Sequence, residues 1–332
     1  MTSSRAGAPT VRPPAPDRAS LQGRSRRNKE QQRTGLVLIS PTLIVVLTLV
    51  VLPILWTVLL AFQRVRLLQL RNVGIFGTYT LDNFVTVLGS SGFLESLIIT
   101  FVYSVVGSGG AILLGLVAAM ALRRPFPGRG FVRAAMLLPY VAPVVAVTFV
   151  WKTALNAQFG IVNVWGRALG WDEPIAFLSQ RSLGITILGL DIDVPIALVT
   201  VIAFEWWRSF PFAFLFLMAR LNAVPDVLEE AARVDGATPI QRFFYIVLPQ
   251  LMPTLAVLSV LRFIWTFNSF DDIWLLTGGG AGTGVVAVRV YDFLIARGDI
   301  GAASAQALAL AAILALSVGI LLKRFGAKEI QA

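Results

Sequence analysis

Long windows without a single charged residue decide what this chain can become. No Asp, Glu, Lys or Arg interrupts Gly35 to Gln63 or Ser96 to Leu122. Ala134 to Trp151 is shorter but equally clean, and Phe243 to Leu261 and Ile300 to Leu322 are also free of charge. Val194 to Ala219 is apolar apart from Glu205 and Arg208. A helix needs roughly 20 mostly apolar residues to cross a bilayer, so the windows predict an all-α membrane protein with six spans. Composition agrees: 56% of residues are hydrophobic and 14% charged, against about 25% charged in an ordinary globular domain. So few charges cannot cover a core of this size in water. The first window is too long for a signal-peptide apolar region and has no small-x-small site after it, so it is expected to be retained.

Absent residue types remove whole classes of chemistry. There is no Cys and no His, hence no thiolate nucleophile, imidazole base, or Cys/His metal cluster. No GxxxxGK[ST] phosphate loop occurs, and the glycines at 278, 279, 280, 282 and 284 have no following Lys. The net charge of +10 invites a nucleic-acid reading, but residues 1–34 alone hold +6 of it. That Pro/Ser/Arg-rich segment reads as a basic cytoplasmic tail near anionic headgroups, with no nucleic-acid partner.

Lys and Arg also orient the spans. With the tail inside, eighteen of them fall in inner segments, among them Arg123, Arg124, Arg129, Arg133, Arg220, Arg233 and Arg242. Eight fall outside: Arg64, Arg66, Arg71, Lys152, Arg167, Arg181, Arg289 and Arg297. Such an excess marks the cytoplasmic side, so both termini are expected inside. Residues 153–195 become an outer loop with few strong helix signals, and 220–250 an inner one. No internal repeat is visible, so the inverted-repeat plan common in secondary transporters is missing.

The inner loop is the most organised polar stretch. Pro225 suits a first helical position, and Asp226, Glu229 and Glu230 sit toward the positive end of the helix dipole. Gly236 supplies a left-handed stop. Thr238, Pro239 and Gln241 then have the spacing of a capping box that starts a second helix. Ile240, Phe243, Phe244 and Val247 give that helix an apolar stripe, and Pro249 is expected to end it before the fifth span. On physical grounds the loop is either a docking device for a soluble partner or an amphipathic helix in the headgroup layer.

Glu230-Ala231-Ala232, three residues, Gly236, nine residues, then Ile246-Val247-Leu248-Pro249 resembles the EAA loop of binding-protein-dependent ABC importer permeases. Phe270-Asp271-Asp272-Ile273-Trp274-Leu275-Leu276-Thr277-Gly278-Gly279-Gly280 and Gly301 to Ala305 resemble the carbohydrate-type members, the group of the larger maltose-transporter and first glycerol-3-phosphate-transporter permeases. Ala281 stands where that group usually has Pro. The likeness spans about residues 36–325. It implies a type I importer permease fold over 35–332, with a core at about 94–322 and a coupling loop at 222–249. It further implies a second homologous permease subunit, two ATPase subunits that hold the ATP and Mg, and an extracytoplasmic solute-binding protein. Glu230, Ala231, Ala232, Gly236, Ile246, Leu248 and Pro249 would serve ATPase coupling, and this chain would bind no cofactor and hydrolyse nothing. The localisation implied is the cell membrane.

Polar residues inside the spans give a candidate path. Glu205 and Arg208 are three apart in span four and read either as an intrahelical ion pair or as path-lining groups. Arg262 has no nearby partner in sequence. Trp265, Asn268 and Asp271 recur every three residues as a polar-aromatic stripe suited to hydroxylated solutes, and Trp206 lies deep in span four; ordinary helix packing is the alternative for each. Three functions compete: a sugar importer permease, the same machine for another solute, and a self-contained channel or secondary transporter.

Overall fold

The computed structural model describes residues 37–68, 74–187 and 190–329. The basic tail at 1–34 and Arg71 lie outside the described residues. The chain divides into two compact units, 1–57 and 58–332. In the first, the described residues form most of helix α1 (Val37–Ala61), whose residues from Val37 to Val50 are almost all exposed. A helix apolar all round and unburied is suited to lipid or to a partner, not to water.

The second unit continues with α2 (Asp82–Leu88) and the 31-residue α3 (Ser91–Ala121). Next come α4 (Arg129–Val141) and α5 (Val144–Ala154), which meet at a 95° bend. The single third span expected from Ala134 to Trp151 is therefore a broken pair. Pro143 is the cause: the residue before a proline is pushed out of helical backbone, and Ala142 is extended (φ −66°, ψ 141°).

The segment expected to be a loop at 153–195 is more ordered than its sequence signals. It holds α6 (Ile161–Ala168) and an antiparallel hairpin, β1 (Leu183–Ile187) with β2 (Leu190–Val194), registered Leu183 to Val194 and Ile187 to Leu190. The hairpin corrects the all-α expectation. Helix α7 (Ile196–Asn222) follows, then α8 (Asp226–Val234) and α9 (Pro239–Phe267). The chain closes with α10 (Asp271–Thr277), α11 (Val286–Tyr291) and α12 (Ile300–Glu329). Among the described residues five helices are long and apolar enough to cross a membrane, or six if the bent pair is one span.

Helices α3 and α7 approach closely because α3 presents glycines to α7. A β-carbon on Gly115 would stand 2.7 Å from the Cβ of Ala213, and one on Gly110 would enter the Trp206 indole. Small residues permit such contact where water gives no drive to associate. Thr100 and Ser104 on α3 donate to the carbonyls of Ser96 and Thr100 at 2.6 and 2.5 Å. Their hydroxyls are thus satisfied within the helix.

Candidate functional site

Two places carry groups that apolar packing does not need. The first is the turn between α8 and α9. Helix α8 buries none of its residues. Gly236 has φ +82°, its N–H donates to the carbonyl of Arg233 at 3.1 Å, and Ala237 N–H donates to that of Ala232 at 2.9 Å. This paired closure satisfies the last carbonyls of α8. Nothing lies within 4 Å of where a Gly236 β-carbon would be, so backbone conformation alone calls for glycine. Thr238 then accepts from the N–H of Gln241 at 3.3 Å, and the Gln241 side chain accepts from the N–H of Thr238 at 2.8 Å. The capping box is formed.

Two details differ from expectation. Pro225 is the residue before the helix, not its first position. Pro249 does not end the second helix, which runs unbroken from Pro239 to Phe267. A π-helical turn at Phe243–Val247 ends two residues before the proline, and its wider spacing accommodates a residue without an N–H.

Along this turn Glu230, Ala231, Gly236 and Pro249 are exposed, while Ala232, Ile246 and Leu248 are half-buried. Val234 is 87% exposed and Ile240 70%, with Phe244 and Tyr245 also open. Carboxylates and bare apolar groups share one surface. Glu229 differs from its neighbour: it is largely covered and paired with Arg123.

The second place is a cavity of about 200 Å³ between α4, α7, α9 and α10, lined by Tyr140, Glu205, Arg208, Ser209, Arg262, Trp265, Thr266, Ser269 and Asp272. Glu205 and Arg208 do not pair with each other. Glu205 accepts from Arg262 on α9, and Thr266 Oγ1 donates to it at 3.2 Å. Arg208 donates to Asp272 on α10 at 2.5 Å. Glu205, Arg262 and Asp272 are each at most 5% exposed. Neighbours on one helix were available, but each charge finds a carboxylate or guanidinium across a helix boundary. The Nε of Arg262 is buried with no partner among the described residues.

The polar-aromatic stripe does not form as spaced. Helix α9 ends at Phe267, Asn268 lies just beyond it, and Asp271 opens α10. Trp265 lines the cavity and packs edge-on to Phe212 with ring centres 5.0 Å apart. Asn268 donates to its own helix, to the carbonyl of Ile264 at 2.9 Å, and Asp271 is exposed. Trp206 faces α3, donating to the carbonyl of Val106 at 2.8 Å. Of the five residues read as a path, Trp265 and Glu205 line the cavity. Tyr140, Ser209, Thr266, Ser269 and Asp272 also line it, and the sequence reading did not single them out as path residues. Their only signal is polarity within apolar runs.

Residues 111–328 match the family described as binding-protein-dependent transport system inner membrane component. The Escherichia coli K12 inner membrane ABC transporter permease protein YcjO is 33% identical over 279 residues, 82% of this chain and 87% of its own length. The trehalose/maltose transport system permease protein MalF of Thermococcus litoralis is 31% identical over 303 residues, covering 91% of this chain and 96% of the relative. Among solved structures, a bacterial ABC transporter involved in alginate import superimposes with a TM-score of 0.76 at 21% identity, over 91% of this chain and 98% of that one.

Proposed function

The chain belongs to the binding-protein-dependent transport system inner membrane components, and from that membership we propose that it is a permease subunit of an ATP-driven sugar importer. It forms half of the solute path across the cell membrane. A second permease subunit supplies the other half, two ATPase subunits bind ATP and Mg, and an extracytoplasmic binding protein delivers solute. The chain itself binds no cofactor and catalyses no reaction. It crosses the membrane six times, with the bent α4–α5 pair as one span, both termini inside and the α8–α9 turn in the cytoplasm.

The observation that carries the sugar reading is the likeness, over nine-tenths of the chain, to a relative whose name gives trehalose and maltose as its solutes. The cavity supports it. Glu205, Arg208, Arg262 and Asp272 offer matched donors and acceptors beside the Trp265 ring, a set suited to neutral hydroxyls. The turn supports ATPase docking over a place in the headgroups. Membrane-surface helices carry Lys and Arg on their polar face, whereas α8 carries Asp226, Glu229 and Glu230 against Arg233 alone. Glu230 and Ala231 are exposed for a partner, with Gly236 setting the angle between the two helices.

Reconstitution of the whole complex in liposomes tests this. Labelled trehalose or maltose is expected to accumulate only with its binding protein outside and ATP available to the ATPase subunits. Accumulation of an amino acid or inorganic ion in place of sugars would refute the sugar reading, and accumulation by this chain alone would refute the importer.

A further inference from the structure

Helix α8 touches the rest of the chain at more than its covalent ends. Arg123, in the corner after α3, reaches both acidic residues of its first turn. One guanidinium nitrogen donates to Glu229, and the other lies 3.5 Å from an Asp226 carboxylate oxygen. Asp226 and Glu229 are three apart and so share a face of α8.

The Arg123–Glu229 pair is shielded, with the side chains 17% and 21% exposed. By contrast the pairs Arg64–Asp82 and Arg181–Glu95 are open to water on both sides. Exposed pairs contribute about 0–1 kcal/mol; the covered arm to Glu229 holds its geometry better, while Asp226 at the second arm is itself open to water. A cavity of about 260 Å³ lies beside the pair, lined in part by Met120 and Phe243. Apolar packing does not fill that gap, and the guanidinium bridges it.

The corner that carries Arg123 is itself fixed. Arg129 donates to the carbonyls of Leu122 and Arg123 at 2.7 and 2.8 Å. Cations at these last carbonyls satisfy the end of α3 and its dipole. Midway along its length α3 lies against the cavity: a β-carbon on Gly107 would stand 3.1 Å from Glu205 Cγ and 3.4 Å from Thr266 Cγ2.

We propose that Arg123 is a positioning residue that latches α8 to α3, so that movement of the docked helix is delivered to the cavity through α3 as well as along α7 and α9. This rests on the importer reading above. Glu229 then serves the chain's own geometry, and Glu230, one residue on and exposed, serves the partner.

The test uses the complete complex in liposomes with labelled trehalose or maltose, recording solute moved per ATP hydrolysed and the amount of ATPase subunit that copurifies. Arg123→Ala is expected to leave copurification and ATP hydrolysis within twofold of wild type. Solute moved per ATP should fall about tenfold, the size of an ordinary pairwise coupling. The reversed pair, Arg123→Glu with Glu229→Arg, combined with Asp226→Asn to spare the new carboxylate a like charge, should recover most of that loss. Unchanged solute per ATP in Arg123→Ala would overturn the latch. So would loss of ATPase subunits in proportion to uptake, or a reversed pair no better than the single variant. A wild-type complex that moves an amino acid or an inorganic ion in place of sugars would overturn the sugar reading instead, and does so before any variant is compared.

Discussion

Glu205 and Arg262 cannot be removed one at a time without leaving the other as a bare charge among apolar helices. Breaking a buried pair costs about 3–5 kcal/mol, whereas replacing both members with apolar residues is often neutral or stabilising. Arg262→Leu is therefore expected to cut the yield of monodisperse complex sharply and lower its thermal midpoint. Adding Glu205→Leu should restore both while uptake stays low, because the cavity has lost one of its two donor–acceptor pairs. A double variant as unstable as the single one would mean that the pair is not the source of the loss. The residues themselves were legible: Glu205, Arg208 and Arg262 stand out in apolar runs. Their partners were not. Arg262 lies 57 residues from Glu205, Arg208 lies 64 from Asp272 and Arg123 lies 106 from Glu229, and local periodicity is silent at such separations.

At the scale of elements, the α8–α9 turn was the most legible part of the chain, since its signals act within a few residues. Gly236 provides the sharpest test. Its φ of +82° costs a residue with a β-carbon about 1–2 kcal/mol, and no neighbour crowds the position. Gly236→Val should abolish uptake with membrane insertion intact, and Gly236→Asn, which tolerates the left-handed region, should retain a large part of it. Equal effects from the two would remove backbone geometry as the cause. Proline signals were harder to read. Pro143 breaks a span and Pro249 breaks nothing, because the extra residue of the π-helical turn at Phe243–Val247 absorbs the second. The paired strands at Leu183–Ile187 and Leu190–Val194 were missed: their few alternating residues sit in a stretch whose polar and aromatic content reads as loop.

For the whole molecule, the apolar windows located the five long helices among the described residues with ends up to about seven residues out, and the surplus of eighteen over eight basic residues predicts that both termini lie inside. Reporter fusions at the exposed Ser179 and Thr238 should report opposite sides of the membrane; the same side for both would refute six spans. Cavity shape and ion pairing were beyond the sequence, yet they carry a consequence for energetics. The wall of the cavity holds two guanidiniums and two carboxylates joined in pairs, so its fixed charge sums to zero. Moving one elementary charge across a membrane potential of 100 mV involves about 2.3 kcal/mol, and a neutral sugar passing neutral pairs moves none. On the proposed reading, transmembrane voltage does no work on a neutral sugar passing this site, and collapsing the potential at constant ATP is expected to leave its uptake unchanged.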